Sequence, residues 1–296
     1  MWCKPSGFKS RVPHSKGRRK FGVNPIQAIT PFALLNKTML TSIQNPLVKE
    51  IRKLHSSKGR REQQLFLLEG THLLEEACAA KYPLATVCCT PEWLDRHGEL
   101  WDQVGNLADR TELVSAKVLE SIATTVQPDG IVATAPRSAT EPAKLSTLGI
   151  ALETIQDPGN LGAIVRTAAA ANADGLLLSA DSADLDHPKV LRASAGAWFK
   201  LPMAVSPDLT AEVSAYKNRG MQILATVAGA SLSYWEVDLR VPTLIVLGNE
   251  GSGLSEELRS LADRQIQIPL SRGVESLNVS IAGALILYEA QRQRTD

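Results

Sequence analysis

Long apolar runs are missing from this 296-residue chain: the stretches Thr243 to Leu247 and Ile281 to Ile286 fall far short of the roughly 18 to 20 residues a membrane span needs. No membrane role is expected. Cysteine is scarce, and its four positions, Cys3, Cys78, Cys88 and Cys89, show neither CxxC spacing nor a disulfide framework. That disfavours a structural zinc and suits a reducing cytosol, so a cytoplasmic location is expected. His14, His55, His72, His97 and His187 are scattered without paired-ligand spacing, and no metal is expected. Neither G-x-G-x-x-G nor G-K-[ST] occurs, which removes the dinucleotide fingerprint and the P-loop. Ser194 lies in Ala-Ser-Ala-Gly and not in G-x-S-x-G, so no acyl-transfer nucleophile is indicated. Asp181, Asp184 and Asp186 ahead of His187 follow no fixed liganding pattern and read as a polar loop before a helix.

Acidic residues are absent from residues 1–38, which hold eight of the 32 lysines and arginines and leave 24 against 31 acids in the remainder. The body is therefore acidic, and a polyanionic partner must be met by a local basic patch. With Pro5, Pro13, Pro25 and Pro31 and no sustained periodicity, residues 1–38 read as a disordered basic extension. They fit upstream sequence before a start at Met39, an RNA-binding tail or a transit peptide, and composition alone leaves the three open.

A chain with 44% hydrophobic and 21% charged residues can bury a substantial core, and its length suits two domains. Over 39–137 the pattern predicts helices near Leu47 to His55 and His72 to Ala80. Strands are predicted at Leu65 to Leu68, Ala85 to Cys89 and Gly130 to Thr134, giving a small α/β domain. Residues 138–147 read as a linker. Over 148–296 strands are predicted at Gly149 to Ile155, Gly175 to Ser179, Gln222 to Ala225, Thr243 to Leu247 and Gln265 to Pro269, with helices between. This is the rhythm of a mostly parallel sheet covered on both faces. A last helix from Leu277 to Arg292 sets Ile281, Leu285 and Tyr288 on one face.

Three segments are too polar and glycine-rich to be only core. Asp157-Pro-Gly-Asn-Leu-Gly-Ala-Ile-Val-Arg166-Thr167 turns from a strand into a helix that Asn160 can cap, with Arg166 on its second turn. Leu247-Gly-Asn-Glu-Gly-Ser-Gly-Leu254 follows an apolar strand, at the place where ligand crevices form in open α/β sheets and where glycine admits close approach. Ile266-Gln-Ile-Pro-Leu270 is followed by Val274-Glu-Ser-Leu-Asn-Val-Ser-Ile-Ala-Gly283, where Ser276, Asn278 and Ser280 exceed what one helix cap requires.

In this order the three segments resemble the signature motifs of the SpoU (TrmH-like) family of RNA ribose 2′-O-methyltransferases in the SPOUT superfamily. Pro188 to Ala197 looks like that family too. So does the first domain, through Ser42 to Lys49, Lys58 to Arg61 and Leu65 to Gly70. The resemblance, from about Met39 to the C-terminus, implies a C-terminal domain with a deep trefoil knot, an exception to the rule that chains avoid threading loops, preceded by a small α/β substrate-binding domain. It also implies S-adenosylmethionine held by Gly248, Ile268 and Leu277 with Leu247, Asn249 and Leu270 beside them, and a homodimer through the C-terminal domain. Arg166 would be the main catalytic residue, assisted by Asn160, Glu250, Ser276 and Asn278.

Arg166 is an awkward base, since guanidinium groups keep their proton above about pH 12. A phosphate clamp that stabilises developing alkoxide charge fits it better. Contact with rRNA or tRNA is expected at Lys49, Lys53, Lys58, Arg60 and Arg61, within a run that also holds Arg52 and His55. A non-catalytic RNA-binding or ribosome-assembly protein is the alternative. The presence of Arg166, Glu250, Ser276 and Asn278 favours the enzyme.

Overall fold

The structure, a computed structural model, describes residues 38–137, 143–271 and 273–295. All but the last residue of the basic extension lies outside them.

The first described helix, α1 (Pro46–Lys53), starts where Asn45 accepts a hydrogen bond from the Leu47 amide at 2.9 Å and Pro46 presets the backbone. It buries Val48 and Ile51. The first turn of α2 (Ser57–Gln63) admits only glycine at 59, because a Cβ there would sit 1.9 Å from the Lys53 carbonyl oxygen. Then follow β1 (Leu65–Glu69), α3 (Thr71–Ala79), β2 (Leu84–Cys89), α4 (Pro91–Arg96), α5 (Gly98–Gly105), β3 (Ala108–Leu113), α6 (Ala116–Ile122) and β4 (Ile131–Pro136). The sheet order is β1-β4-β2-β3, with β4 antiparallel to β1 and β2, and β2 parallel to β3. One face packs on Trp93 and Trp101, the other on Val48, Leu54 and Leu119.

The predicted elements of this half all appear, shifted by a residue or two. Missing from the sequence reading were β3, whose Asp109 and Arg110 are exposed, α2, whose Ser-Lys-Gly-Arg-Arg-Glu-Gln carries no apolar period, and the short helices α4, α5 and α6. Of the expected linker, residues 138–142 lie outside the described ones. The rest is no solvated tether: Ala143 and Leu145 are buried in the second domain's core, and the Tyr216 hydroxyl donates to the Ala143 carbonyl at 2.6 Å.

The second sheet is built from β5 (Leu148–Leu152), β6 (Gly175–Ser179), β7 (Met203–Ser206), β8 (Gln222–Thr226), β9 (Leu232–Ser233), β10 (Thr243–Leu247) and β11 (Arg264–Gln267). Their order is β7-β6-β5-β10-β8-β11-β9, and every pair is parallel. Strands β5, β6 and β10 are buried throughout, as a sheet covered on both faces requires. On one face lie α7 (Pro158–Ala170), α8 (Pro188–Ser194) and α11 (Val279–Thr295); on the other lie α9 (Leu209–Asn218) and α10 (Glu256–Leu261). Strands β7 and β9 escaped the sequence reading because they are short edge strands of mixed burial.

The last helix begins at Val279, two residues later than expected, and its core face is Val279, Gly283, Ile286, Leu287 and Ala290. Ile281, Leu285 and Tyr288 instead face outward, at 52%, 38% and 51% exposure. Among the described residues no helix is long and apolar enough to cross a membrane.

Two contacts lock the sheets together. Phe66 and Tyr82 of the first domain meet Trp198 and Phe199 of the second in tilted and edge-to-face contacts, with centroids 5.1 to 5.8 Å apart. Beside them Asp184 accepts from Ser57 Oγ at 3.2 Å, Arg60 Nη2 at 2.9 Å and Arg137 Nη2 at 3.3 Å, while Asp186 pairs with Arg137. The acidic loop before His187 is thus an interdomain ion-pair hub.

Candidate active site

All six residues expected around a cofactor, Leu247, Gly248, Asn249, Ile268, Leu270 and Leu277, line one cavity of about 450 Å³ at the carboxyl ends of β8, β10 and β11. Its size falls within the roughly 300 to 1,000 Å³ of small-molecule sites, and its position is where parallel sheets bind ligands. Gly248 is required by close approach: a Cβ there would lie 2.3 to 2.5 Å from the backbone of Gly253 and Leu254. Asn249 shapes the loop. Its side chain donates to the Thr154 carbonyl at 2.8 Å and accepts from the amides of Gly251 and Ser252 at 2.9 and 3.0 Å. These bonds fix the loop, and the cavity wall combines glycines and apolar side chains with polar residues such as Thr226, Gln267 and Glu275.

A second cleft adjoins it, lined by Gln156, Asp157, Asn160, Glu250, Ser276, Leu277, Asn278 and Val279. Glu250 and Ser276 line both spaces. Asn278 Nδ2 donates to Asn160 Oδ1 at 2.9 Å, and Asn160 Nδ2 donates to Glu250 Oε1 at 3.0 Å. The far end is closed by Ser280, whose amide and hydroxyl donate to Asn278 Oδ1 at 2.9 and 2.6 Å. Burial pushes the Glu250 carboxyl up, but the Asn160 side chain and the amides of Glu250, Gln156 and Asp157 outweigh it and hold it below its ordinary value. Glu250 is therefore an ionised acceptor at neutral pH.

Two local expectations are corrected here. Helix α7 is capped by Asp157, which accepts from the Gly159 and Asn160 amides at 2.6 and 3.0 Å, with Pro158 as the first helical residue. Asn160 is thereby free to reach across the cleft, and Arg166 falls on the third turn instead of the second. An Asp before a Pro is the ordinary signature of a helix start, so Asp157 was legible in the sequence. Ser276 sits in the stretch before α11, and among the described residues its side chain makes no hydrogen bond.

Arg166 is exposed, lines neither cleft and makes no hydrogen bond or ion pair among the described residues. The cleft pair therefore gathers four of the five expected catalytic residues within one protomer.

Of the basic residues expected to meet RNA, Lys49, Lys53, Lys58 and Arg61 are exposed on α1 and α2, as is Arg52. Lys53 and Lys58 each carry a solvent-exposed ion pair, with Glu50 at 2.7 Å and Glu62 at 3.8 Å. Such pairs are cheaply broken. Arg60 is the correction: it is 1% exposed and spends its guanidinium on Asp184 and on the Leu54 carbonyl at 3.0 Å, so it has no free donor face for a phosphate. Charge patterning alone does not separate it from Arg61. Among the described residues no group of His, Cys, Asp or Glu is arranged to hold a metal ion.

Residues 147–288 match the model of the SpoU rRNA Methylase family, and residues 45–133 match the MRM3-like substrate binding domain. A Synechocystis protein designated an uncharacterized tRNA/rRNA methyltransferase is 44% identical over 86% of this chain and 94% of its own length. The 23S rRNA (guanosine(2553)-2′-O)-methyltransferase RlmP of Bacillus subtilis is 30% identical over 84% of this chain and 97% of its own. Among solved structures, an AdoMet-bound rRNA methyltransferase from Sinorhizobium meliloti superposes with a TM-score of 0.76 at 29% identity, covering 86% of this chain and 97% of that one. The loops that frame the two clefts fall inside the first matched region, and the exposed basic helices inside the second. The chain belongs to the SpoU rRNA methylase family.

Proposed function

We propose that this protein methylates a ribose 2′-hydroxyl of structured RNA, with S-adenosylmethionine as donor and ribosomal RNA as the first substrate to test. The observation that carries the reading is the shared wall: Glu250 and Ser276 border both a cavity sized for a cofactor and a polar cleft open to solvent. A donor in one and a hydroxyl in the other would meet across that wall. The cavity fits the cofactor, with backbone groups at Gly248 and Ile268 for polar atoms and Leu247, Leu277 and Val279 for apolar surface. When bound, S-adenosylmethionine supplies an electrophilic methyl on a sulfonium. The loops after β10 and β11 that would hold it are those in which the family's trefoil knot is expected.

The chain's own residues then have orienting and electrostatic work. Asn160, fixed by Glu250 and Asn278, presents polar groups at the mouth of the cleft, and Ser276 keeps an uncommitted hydroxyl for the substrate. Arg166 clamps the substrate phosphate and stabilises developing alkoxide charge, and the proton leaves through a neighbouring group or water. A homodimer fits both loose ends. The outward row Ile281, Leu285 and Tyr288 is an unpaired apolar surface, and α11 packs against the helix that carries Arg166. A second copy across that row would cover it and set Arg166 near the partner's clefts. Exposed Lys49, Lys53, Lys58 and Arg61 extend the substrate surface onto the first domain, and the reading places the protein in the cytoplasm.

The deciding experiment maps ribose 2′-O-methylation across the transcriptome in cells lacking the protein, complemented with wild type or Arg166→Ala. Loss of a site that only wild type restores is the expected result. No missing site under several growth conditions would overturn the reading in favour of a non-catalytic RNA-binding role.

A further inference from the structure

Pro188 to Ala197 carries part of the family resemblance but no role in the proposed chemistry so far. In the structure α8 is a bracket. A Cβ on Gly162 of α7 would lie 2.6 Å from the Ala193 methyl and 2.7 Å from the Val190 carbonyl, so the two helices meet backbone to backbone. On one side Arg192 reaches the first domain, 3.2 Å from the buried Glu69 carboxylate and 2.9 Å from Thr124 Oγ1. On the other side Lys189 lies over the start of α7, with Nζ 3.0 and 3.3 Å from the two carboxylate oxygens of Asp157.

The electrostatics of the polar cleft give Lys189 a purpose. Among the described residues the cleft is lined by two carboxylates and by no basic side chain. The Lys189 hydrogen bond, ahead of those from the Asn160 and Gly159 amides, holds Asp157 below its ordinary value, and Glu250 is held low as described above, so both are ionised at neutral pH. An RNA ribose cannot place its 2′-oxygen there without bringing the adjacent 3′-phosphodiester charge with it. Like charges at that spacing repel, and a cation must stand between them. Arg60 and Arg192 are committed to Asp184 and Glu69, and Arg166, the proposed phosphate clamp, lines neither cleft of its own protomer, so the cation already seated on the Asp157 carboxylate is Lys189. Lys189 is half exposed, and its pair with Asp157 is the kind that exchanges partners at little cost. Asp157 keeps two amide donors after it leaves.

We propose that Lys189 is a substrate-contacting residue: it neutralises Asp157 in the free protein and transfers to the phosphate flanking the target ribose when RNA binds. This rests on the ribose-methylation reading. It adds a backbone contact at the catalytic helix itself, separate from the basic face of α1 and α2.

The test compares Lys189→Gln, Lys189→Arg and Asp157→Asn with wild type, using in-vitro-transcribed 23S rRNA. The readouts are KM, kcat, direct RNA binding across a salt series, S-adenosylmethionine binding and Tm. Lys189→Gln is expected to raise KM for RNA at least tenfold and to flatten the slope of log affinity against log salt by about one. S-adenosylmethionine binding and Tm should stay at wild-type values, Lys189→Arg should retain most of the RNA affinity, and Asp157→Asn should keep the wild-type slope. If Lys189 only props the helix cap, Lys189→Gln and Asp157→Asn will share a lowered Tm while both keep the wild-type slope, and the proposal falls. Wild-type protein that binds RNA but never methylates it would count against the ribose-methylation reading; the salt slopes still decide the role of Lys189.

Discussion

Two polar networks of similar chemistry lie in this molecule, and they differ in what is left over. Between the sheets, Asp184 and Asp186 take Ser57, Arg60 and Arg137, and Arg60 is buried with its donors spent on Asp184 and on the backbone carbonyls of Leu54 and His55. At the cleft, Glu250, Asn160, Asn278 and Ser280 form a chain of comparable length whose members reach solvent, with the Ser276 hydroxyl beside it making no hydrogen bond among the described residues. The first network is saturated and serves the fold. The second holds spare hydrogen-bonding capacity facing a cavity, which is what a substrate needs to find.

Removing one partner from each separates the two most sharply. Arg60→Ala leaves Asp184 facing a buried void and should cost about 3 to 5 kcal/mol of stability, with Arg60→Lys losing less. Chemical denaturation reads this directly, and a change under about 1 kcal/mol would mean the pair is not the interdomain lock described. Asn160→Ala should do the reverse. It should lower kcat by about 10² to 10³, the scale of a lost transition-state hydrogen-bonding group, while unfolding near the wild-type denaturant midpoint. A stable variant with normal turnover would break the contrast.

Acid titration sharpens the comparison further. For Asp184, burial pushes the carboxyl up, but the Arg60 hydrogen bond and charge, the Asp186 amide and Arg137 outweigh it, so the folded value is depressed. The folded state therefore binds that proton more weakly than the unfolded chain. The stabilisation is fully present above the unfolded pKa of about 3.9 and is lost as pH falls through it toward the folded value. Asp186 beside it is raised by burial and works the other way, so Asp184 drives the fall of Tm below about pH 4 against that offset, and Asp184→Asn should make the fall shallower. Glu250 is also depressed but exposed, so Glu250→Gln should change the same curve less. Equal effects would mean the exposed chain is as structural as the buried one.

The contrast also explains what could be read in advance. Central strands such as β6 and β10 were legible because burial on both faces leaves continuous apolar runs, Gly175 to Ser179 and Thr243 to Leu247. Edge strands β7 and β9 carry no such run. Ser276 and Asn278 were legible as polar side chains where an apolar pattern should continue, and Glu250 through the glycine-rich loop that follows the apolar strand β10. What sequence could not supply was direction. Arg60 and Arg61 are neighbours in one charged helix, and only the partner contributed 124 residues later decides which one is buried. Ile281, Leu285 and Tyr288 keep a helical period that names a face without saying whether the fold's own core or another surface covers it.

The smallest expected effect therefore falls on the other member of that arginine pair. Arg61 is exposed, makes no side-chain ion pair among the described residues, and stands on the helix whose other exposed cation is Lys58. Arg61→Ala should leave Tm within experimental error and kcat unchanged, since it touches neither network. Its effect should appear only in RNA affinity, as a modest loss at low salt that vanishes at high salt, with the log–log salt slope reduced by about one. If affinity and slope are both unchanged, the basic face of α1 and α2 is a solvated surface. RNA contact would then concentrate at the clefts, where the side chains with uncommitted hydrogen-bonding groups already are.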